Sequence, residues 1–219
     1  MRVMQSLFGA FIVFNMELLL SKVPISSKYA KFALGGFLMG IVMVPICFAG
    51  RPVKSGLKLG EQVNAFLVED VTGSSKGRTL CYRCGYGPAP VVCVFARKTT
   101  DSVTNLIQQI DRKVGEQARD RMGLKSFVVL IPAKGTQPKA ELQKLAVDAQ
   151  IKNVPLTISA GINGPPDYQI SSEADITVLM WKLGDVKVNR AYQGDLTAQD
   201  VRDIVGDIAT LMGNGETSR

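Results

Sequence analysis

Two uncharged, largely apolar runs on either side of one amphipathic helix constrain this chain more than any other feature. "VVCVFA" (91–96) and "SFVVLIP" (126–132) are continuous rather than alternating. Such runs read as strands buried on both faces of a parallel sheet. Between them Val103, Leu106, Ile107, Ile110 and Val114 recur at spacings of three and four, the period of a helix with one apolar face. Thr100 or Asp101 is its expected N-cap. Strand, helix and strand then form a crossover unit, and such units are right-handed.

The flanking segments extend this unit. "QVNAFLVED" (62–70) and "RTLCYRC" (78–84) read as extended, with the turn cluster "TGSSKG" between them. Pro138 opens a second helix with Leu142, Leu145 and Ala146 on one side. "VPLTIS" (154–159) is a short strand, and "AGINGPPDYQISSEA" is a loop. "DITVLMW" and "VKVNRAYQ" flank "KLGD" as a hairpin with a Gly-Asp turn. The final helix, "TAQDVRDIVGDIATLM", is capped by Thr197 with Asp200 three residues on. The order β-β-β-α-β-α-β-β-β-α describes a mixed sheet between helices.

Composition narrows the chemistry. The 219 residues include no histidine, which removes Ser-His-Asp and Cys-His catalysis and histidine metal sites. Four of the 26 Lys/Arg and one of the 19 acidic residues lie within residues 1–50, so the body is only mildly basic. It carries no run of cations and no nucleic-acid motif, and no nucleic-acid partner is expected. Residues 32–49, "FALGGFLMGIVMVPICFA", are apolar and follow Lys22, Lys28 and Lys31. Positive flank, apolar stretch and small residues before Gly50 are the order of a secretory signal, and roughly 18 apolar residues also approach the shortest membrane anchor. Residues 1–50 are therefore expected to be a signal peptide or anchor. Within them, "SLFGAFIVF" suggests either a second span or a start at Met16. Residues 51–60 read as a linker, 61–212 as one domain and 213–219 as a frayed tail. Export, periplasmic or extracellular, is the expectation, with the membrane involved only through the N-terminal segment. Such a compartment preserves disulfides.

Three stretches resemble the thioredoxin-like superfamily, nearest its peroxiredoxin-like branch. "LKLGEQVNAFLVEDVTG" is similar to the branch's opening strand, and "PVVCVFAR" to its central strand. "VPLTIS" and "ADITVLMWKLGDVKVNRAYQGDLTAQDVRDIV" are similar to the closing strands, hairpin and helix. The resemblance covers roughly residues 57–212. It implies an α/β three-layer sandwich with a mixed central sheet, plus an extra N-terminal β-hairpin here. It also implies a cysteine at the head of the helix after the central strand, where the helix N-terminus stabilises a thiolate. This chain has "RKTTDSVTN" there, with Thr99, Thr100, Asp101 and Ser102 in place of sulfur. The family's cis-proline has one candidate, Pro155, but "DITVLMW" is the better match to the strand it should precede, and no proline stands before it. A peroxidase centre is not expected.

What chemistry remains lies upstream, in the Cys81-Tyr82-Arg83-Cys84 motif. It has three readings. It is a dithiol that exchanges electrons with a protein thiol or disulfide partner, with Arg83 and Arg78 favouring thiolate and Cys81 attacking. It is a structural disulfide or a pair of reduced thiols in a non-catalytic binding domain. Or it is half of a zinc site completed by a second chain. An i, i+3 disulfide fits a turn or helix start better than a straight strand. Cys93 reads as a buried hydrophobe or a resolving thiol, Arg97 and Lys98 as solvated charges or an anion site, and Trp181 and Tyr192 as packing residues. Glu173 and Asp175 are too weak a pair to specify a site. No cofactor and no complete metal site follow from these residues.

Overall fold

The computed structural model of the protein describes residues 50–213. The leader and tail expected from the sequence lie outside these residues, apart from Gly50 and Gly213. The sheet is built around β4 (Val91–Ala96), whose six residues are all buried. β5 (Lys125–Leu130) and β6 (Leu156–Ser159) follow on one side, both parallel to it. On the other side lies β7 (Ile176–Lys182), antiparallel, then β8 (Asp185–Gln193). The outer strands are β1 (Arg51–Pro52) beyond β8, and the hairpin β2 (Val68–Asp70) and β3 (Thr79–Leu80) beyond β6. The eight-stranded order is β1-β8-β7-β4-β5-β6-β2-β3. The expected mixed sheet and extra N-terminal hairpin are both present.

α2 (Asp101–Glu116) joins β4 to β5, α3 (Pro138–Asp148) joins β5 to β6, and α4 (Ala198–Met212) closes the fold. Val103, Leu106, Ile107 and Ile110 of α2, Leu142 of α3 and Val201, Ile204 and Ile208 of α4 share one core with Val92, Val94, Val128, Val178 and Met180. All three long helices therefore cover the same face. Two crossovers advancing in one direction across a sheet must leave their helices on one side when both have the same hand. Each isoleucine here is almost fully removed from water, worth about 1.5–3 kcal/mol.

The second face presents Val91, Cys93, Phe95, Phe127, Val129, Leu179 and Trp181. Short pieces cover it: α1 (Tyr82–Tyr86), the 3-10 turn Pro166–Tyr168, and residues from the 57–66 segment, of which Leu57 and Val63 are buried. The sandwich is thus unequal, with long helices on one side only.

Three expectations are corrected in detail. The stretch 51–60 is not a free linker. β1 pairs with β8, Val53 N–H donates to the Ala191 carbonyl at 3.0 Å, and Asn189 donates to the Ser55 and Leu57 carbonyls. Backbone bonds, the Asn189 amide, the Ser55 hydroxyl against Thr177 and Ser171, and the buried Leu57 hold it, a set with no apolar period. "QVNAFLVED" pairs only at Val68–Asp70, apart from one bridge at Gln62, because the residues before Val68 cross the second face. The hairpin turn is Leu183-Gly184 rather than Gly-Asp, with φ of 57° and 88°. Two positive φ values in a two-residue loop match the sheet's twist, and Gly is at ease there.

Leu183 holds that conformation while 68% exposed, so it bears the strain of the left-handed region without compensating burial. Leu183→Asn is expected to raise the unfolding free energy by about 0.5–1 kcal/mol in equilibrium urea unfolding.

Candidate functional site

The expected extended segment through "CYRC" stops at Leu80, where pairing with β2 ends. Cys81 is still extended, with φ −106° and ψ 99°, but it is the N-cap of α1. The signal for this helix was in the sequence: Tyr82 and Tyr86 are four apart, so one helical face presents both rings. Gly87, at φ 56°, ends the turn.

Cys81 and Cys84 form a disulfide with a Cα–Cα distance of 5.2 Å, normal for such a bond. The Cys84 N–H donates to the Cys81 sulfur at 3.0 Å. Cys84 is exposed and Cys81 is half-buried.

α1 is anchored by other groups. The Tyr82 ring stacks on Phe127 at 5.3 Å, and its hydroxyl donates to Asp70 at 2.9 Å. Asp70 is fully buried and also accepts the Gly73 and Ser75 amides at 2.7 and 2.8 Å. Tyr86 donates to the Ser126 carbonyl at 3.1 Å, and the Arg83 guanidinium to the Val63 carbonyl at 3.2 Å. Burial raises the pKa of both tyrosines, and the Asp70 hydrogen bond raises that of Tyr82 further, so both stay neutral donors. Sequence reasoning gave none of these anchoring roles to Asp70, Tyr82 or Tyr86. Closing the four-residue loop adds only about 2 kcal/mol in the chain-entropy account of disulfides.

α1 leads through Gly87–Pro90 into the start of β4, whereas the head of α2 follows the end of that strand. That head has no sulfur, as expected. Thr100 is its N-cap, and Thr100 and Ser102 donate to the Asp195 carboxylate at 2.6 and 2.5 Å. The Ser102 bond, then the Thr100 bond, holds Asp195 below the usual carboxylate range. Charge therefore sits at this helix pole as a hydrogen-bonded carboxylate. All peptide bonds among the described residues are trans, and Pro155 lies just before β6 at the other end of the sheet.

The remaining candidates are structural. Cys93 is completely buried and its thiol is pushed up by desolvation. Arg97 donates to the Ile162, Ser171 and Ala174 carbonyls, so it organises a loop rather than meeting an anion. Lys98 pairs with Asp175 at 3.3 Å. Trp181 and Tyr192 are buried, and the Trp181 Nε1 has no hydrogen-bond partner among the described residues.

The fold is thioredoxin-like by comparison with solved structures. A candidate protein disulfide isomerase from Bacteroides thetaiotaomicron superposes with a TM-score of 0.55 at 11% identity, over 76% of this chain and 96% of that one. A thiol peroxidase from Chromobacterium violaceum gives 0.50 at 12% identity, over 77% and 93%. A peroxidoxin from Mycobacterium tuberculosis gives 0.50 at 18%, over 72% and 97%. No protein-family model and no curated protein matches the chain.

Two measurements follow. Tyr82→Ala is expected to destabilise the chain by about 3–5 kcal/mol, more than the roughly 2 kcal/mol expected for joint Cys81→Ser and Cys84→Ser replacement, in denaturant titrations. Asp195 has a lowered folded value, so its stabilisation is present above the ordinary carboxylate range and is lost as pH falls through the folded value. Asp195→Asn should remove that part of the acid dependence, read as a flatter thermal midpoint against pH in the acidic limb.

Proposed function

We propose that this protein exchanges electrons with protein thiols through the Cys81–Cys84 disulfide, in a compartment outside the cytoplasm. One observation carries the reading: Cys81 already accepts the Cys84 amide, while Cys84 is the exposed member of the pair. In the oxidised protein a partner thiolate attacks the Cys84 sulfur. The Cys81–Cys84 bond breaks and its electron pair leaves with Cys81, whose thiolate keeps the amide hydrogen bond. A second partner thiol then attacks the mixed disulfide and releases Cys84. Two electrons have moved from a partner dithiol to the protein, and the partner leaves oxidised. In the reverse direction the same path runs backwards: Cys84 attacks the partner disulfide and Cys81 then attacks the Cys84 sulfur to resolve the mixed disulfide, the opposite of the order expected from the sequence.

The anchoring of α1 supports this, because the bond can open without releasing the tyrosines that hold the helix. The competing reading is a structural staple, and the shortness of α1 favours it: five residues make a marginal helix. Export rests on the apolar stretch 32–49 behind three lysines.

The reduction potential of the pair in the full chain separates the readings. A value between about −270 and −120 mV, the range of disulfide exchangers, with insulin reduction abolished by Cys84→Ser, supports exchange. A potential below about −300 mV without insulin reduction leaves only the staple. Trp181 is the chain's single tryptophan and lies 6.2 Å from Phe127, which stacks on Tyr82, so its fluorescence can report the titration.

A further inference from the structure

Cations without carboxylate partners surround the end of the sheet where α1 is anchored. Arg83 projects from α1 towards the hairpin turn, with Nη2 3.1 Å from the place a Cβ would take at Gly184. Lys182 closes β7 beside that turn, and Lys125 opens β5 in register with Val91. Arg119 and Arg121 are exposed in the loop before Lys125. None of these five takes part in an ion pair among the described residues. The unburied carboxylates near these cations are engaged: Glu61 by the Lys58 amide, Glu116 by Lys113, Asp120 by the Met122 amide, Asp185 by Gln62 and Lys187. The opposite end differs. Around the head of α2, Lys98 is paired, Arg97 is spent on carbonyls, and Asp101, Glu141, Glu173, Asp175 and Asp195 gather. Cations without ion pairs therefore collect at the first end, and Cys84, next to Arg83 in the chain, is exposed beside them.

We propose that this basic rim is a docking surface for a protein partner whose thiols lie in an acidic segment. The inference rests on the exchange reading above and names the partner for that site. A field of unpaired cations raises the local concentration of an anionic partner and speeds encounter, and salt suppresses the effect. Proximity to the disulfide selects a thiol-bearing protein over other polyanions. The reaction is the one already balanced: partner dithiol and protein disulfide give partner disulfide and protein dithiol.

The test uses the full chain, oxidised, with three synthetic peptides that carry one cysteine flanked by glutamates, by lysines, or by glycine and serine. Reduction is followed by Trp181 fluorescence. Each rate is divided by the same peptide's rate with hydroxyethyl disulfide, which removes differences in intrinsic thiol reactivity. At an ionic strength near 0.01 M, where screening reaches about 30 Å, the acidic peptide is expected to outrun the basic one by about tenfold or more. At about 0.5 M salt the ratio should approach one. The double variant Arg119→Glu/Arg121→Glu should lower the low-salt ratio severalfold, after division by its own rate with 2-mercaptoethanol. Equal normalised rates at low salt, with 2-mercaptoethanol still reducing the pair, overturn the docking surface and leave the exchange reading intact. No reaction with any thiol overturns the exchange reading itself. Saturable binding to phosphatidylserine vesicles without peptide discrimination assigns the rim to a membrane and overturns the proposal. Salt-sensitive dimerisation without discrimination assigns it to a second copy, with the same consequence.

Discussion

Asp70 is a carboxylate with no exposed surface, and the second face of the sheet is organised around it. Its two oxygens accept the Gly73 and Ser75 amides and the Tyr82 hydroxyl. A buried carboxylate is tolerated only when its lone pairs are met in this way, and removing one donor exposes a cost of about 1–3 kcal/mol. Through the amides it folds the turn after β2. Through Tyr82 it brings the first of the two residues between the cysteines down onto Phe127. The disulfide-bearing turn is thereby fixed from below, with Cys84 exposed and Cys81 half-buried.

The unequal layers follow from handedness and in turn decide where chemistry can sit. With α2, α3 and α4 on one face, the other is closed by an irregular segment, a 3-10 turn and α1. Relatively little backbone covers the sheet there, so a single helical turn can carry an accessible disulfide. Meanwhile the head of α2, where a thioredoxin-like fold would hold a thiolate, is filled by Thr100, Ser102 and Asp195. The helix pole is still met by negative charge, but the charge is a carboxylate that takes no part in thiol exchange.

The central architecture was legible because its signals are strong and local. The buried runs at Val91–Ala96 and 126–130, the helical period from Val103 to Val114, and the Thr197–Asp200 capping box all reappear as structure. The missing sulfur after β4 was equally visible. What escaped was held by tertiary contacts without periodicity. Residues 51–60 follow β8 through backbone bonds and Asn189. α1 is too short for an amphipathic pattern to stand out, and its place depends on Asp70, twelve residues before Tyr82. The i, i+4 tyrosines and the i, i+3 cysteines were local clues, but the stretch 78–84 read as extended. The basic rim was invisible for a different reason: its members come from three separate segments and form no run in the sequence.

The claim on which the account depends is that α1 stays in place when its disulfide opens. Amide hydrogen exchange of the full chain, oxidised and reduced, measures this directly. The account requires the Gly73 and Ser75 amides, bound to Asp70, and the Gly87 and Ala89 amides, bound to Arg83 and Tyr86 carbonyls, to keep their protection on reduction. Loss of protection at these four amides in the reduced chain, with β4 and β5 unaffected, would show that the disulfide holds the helix and contradict the account.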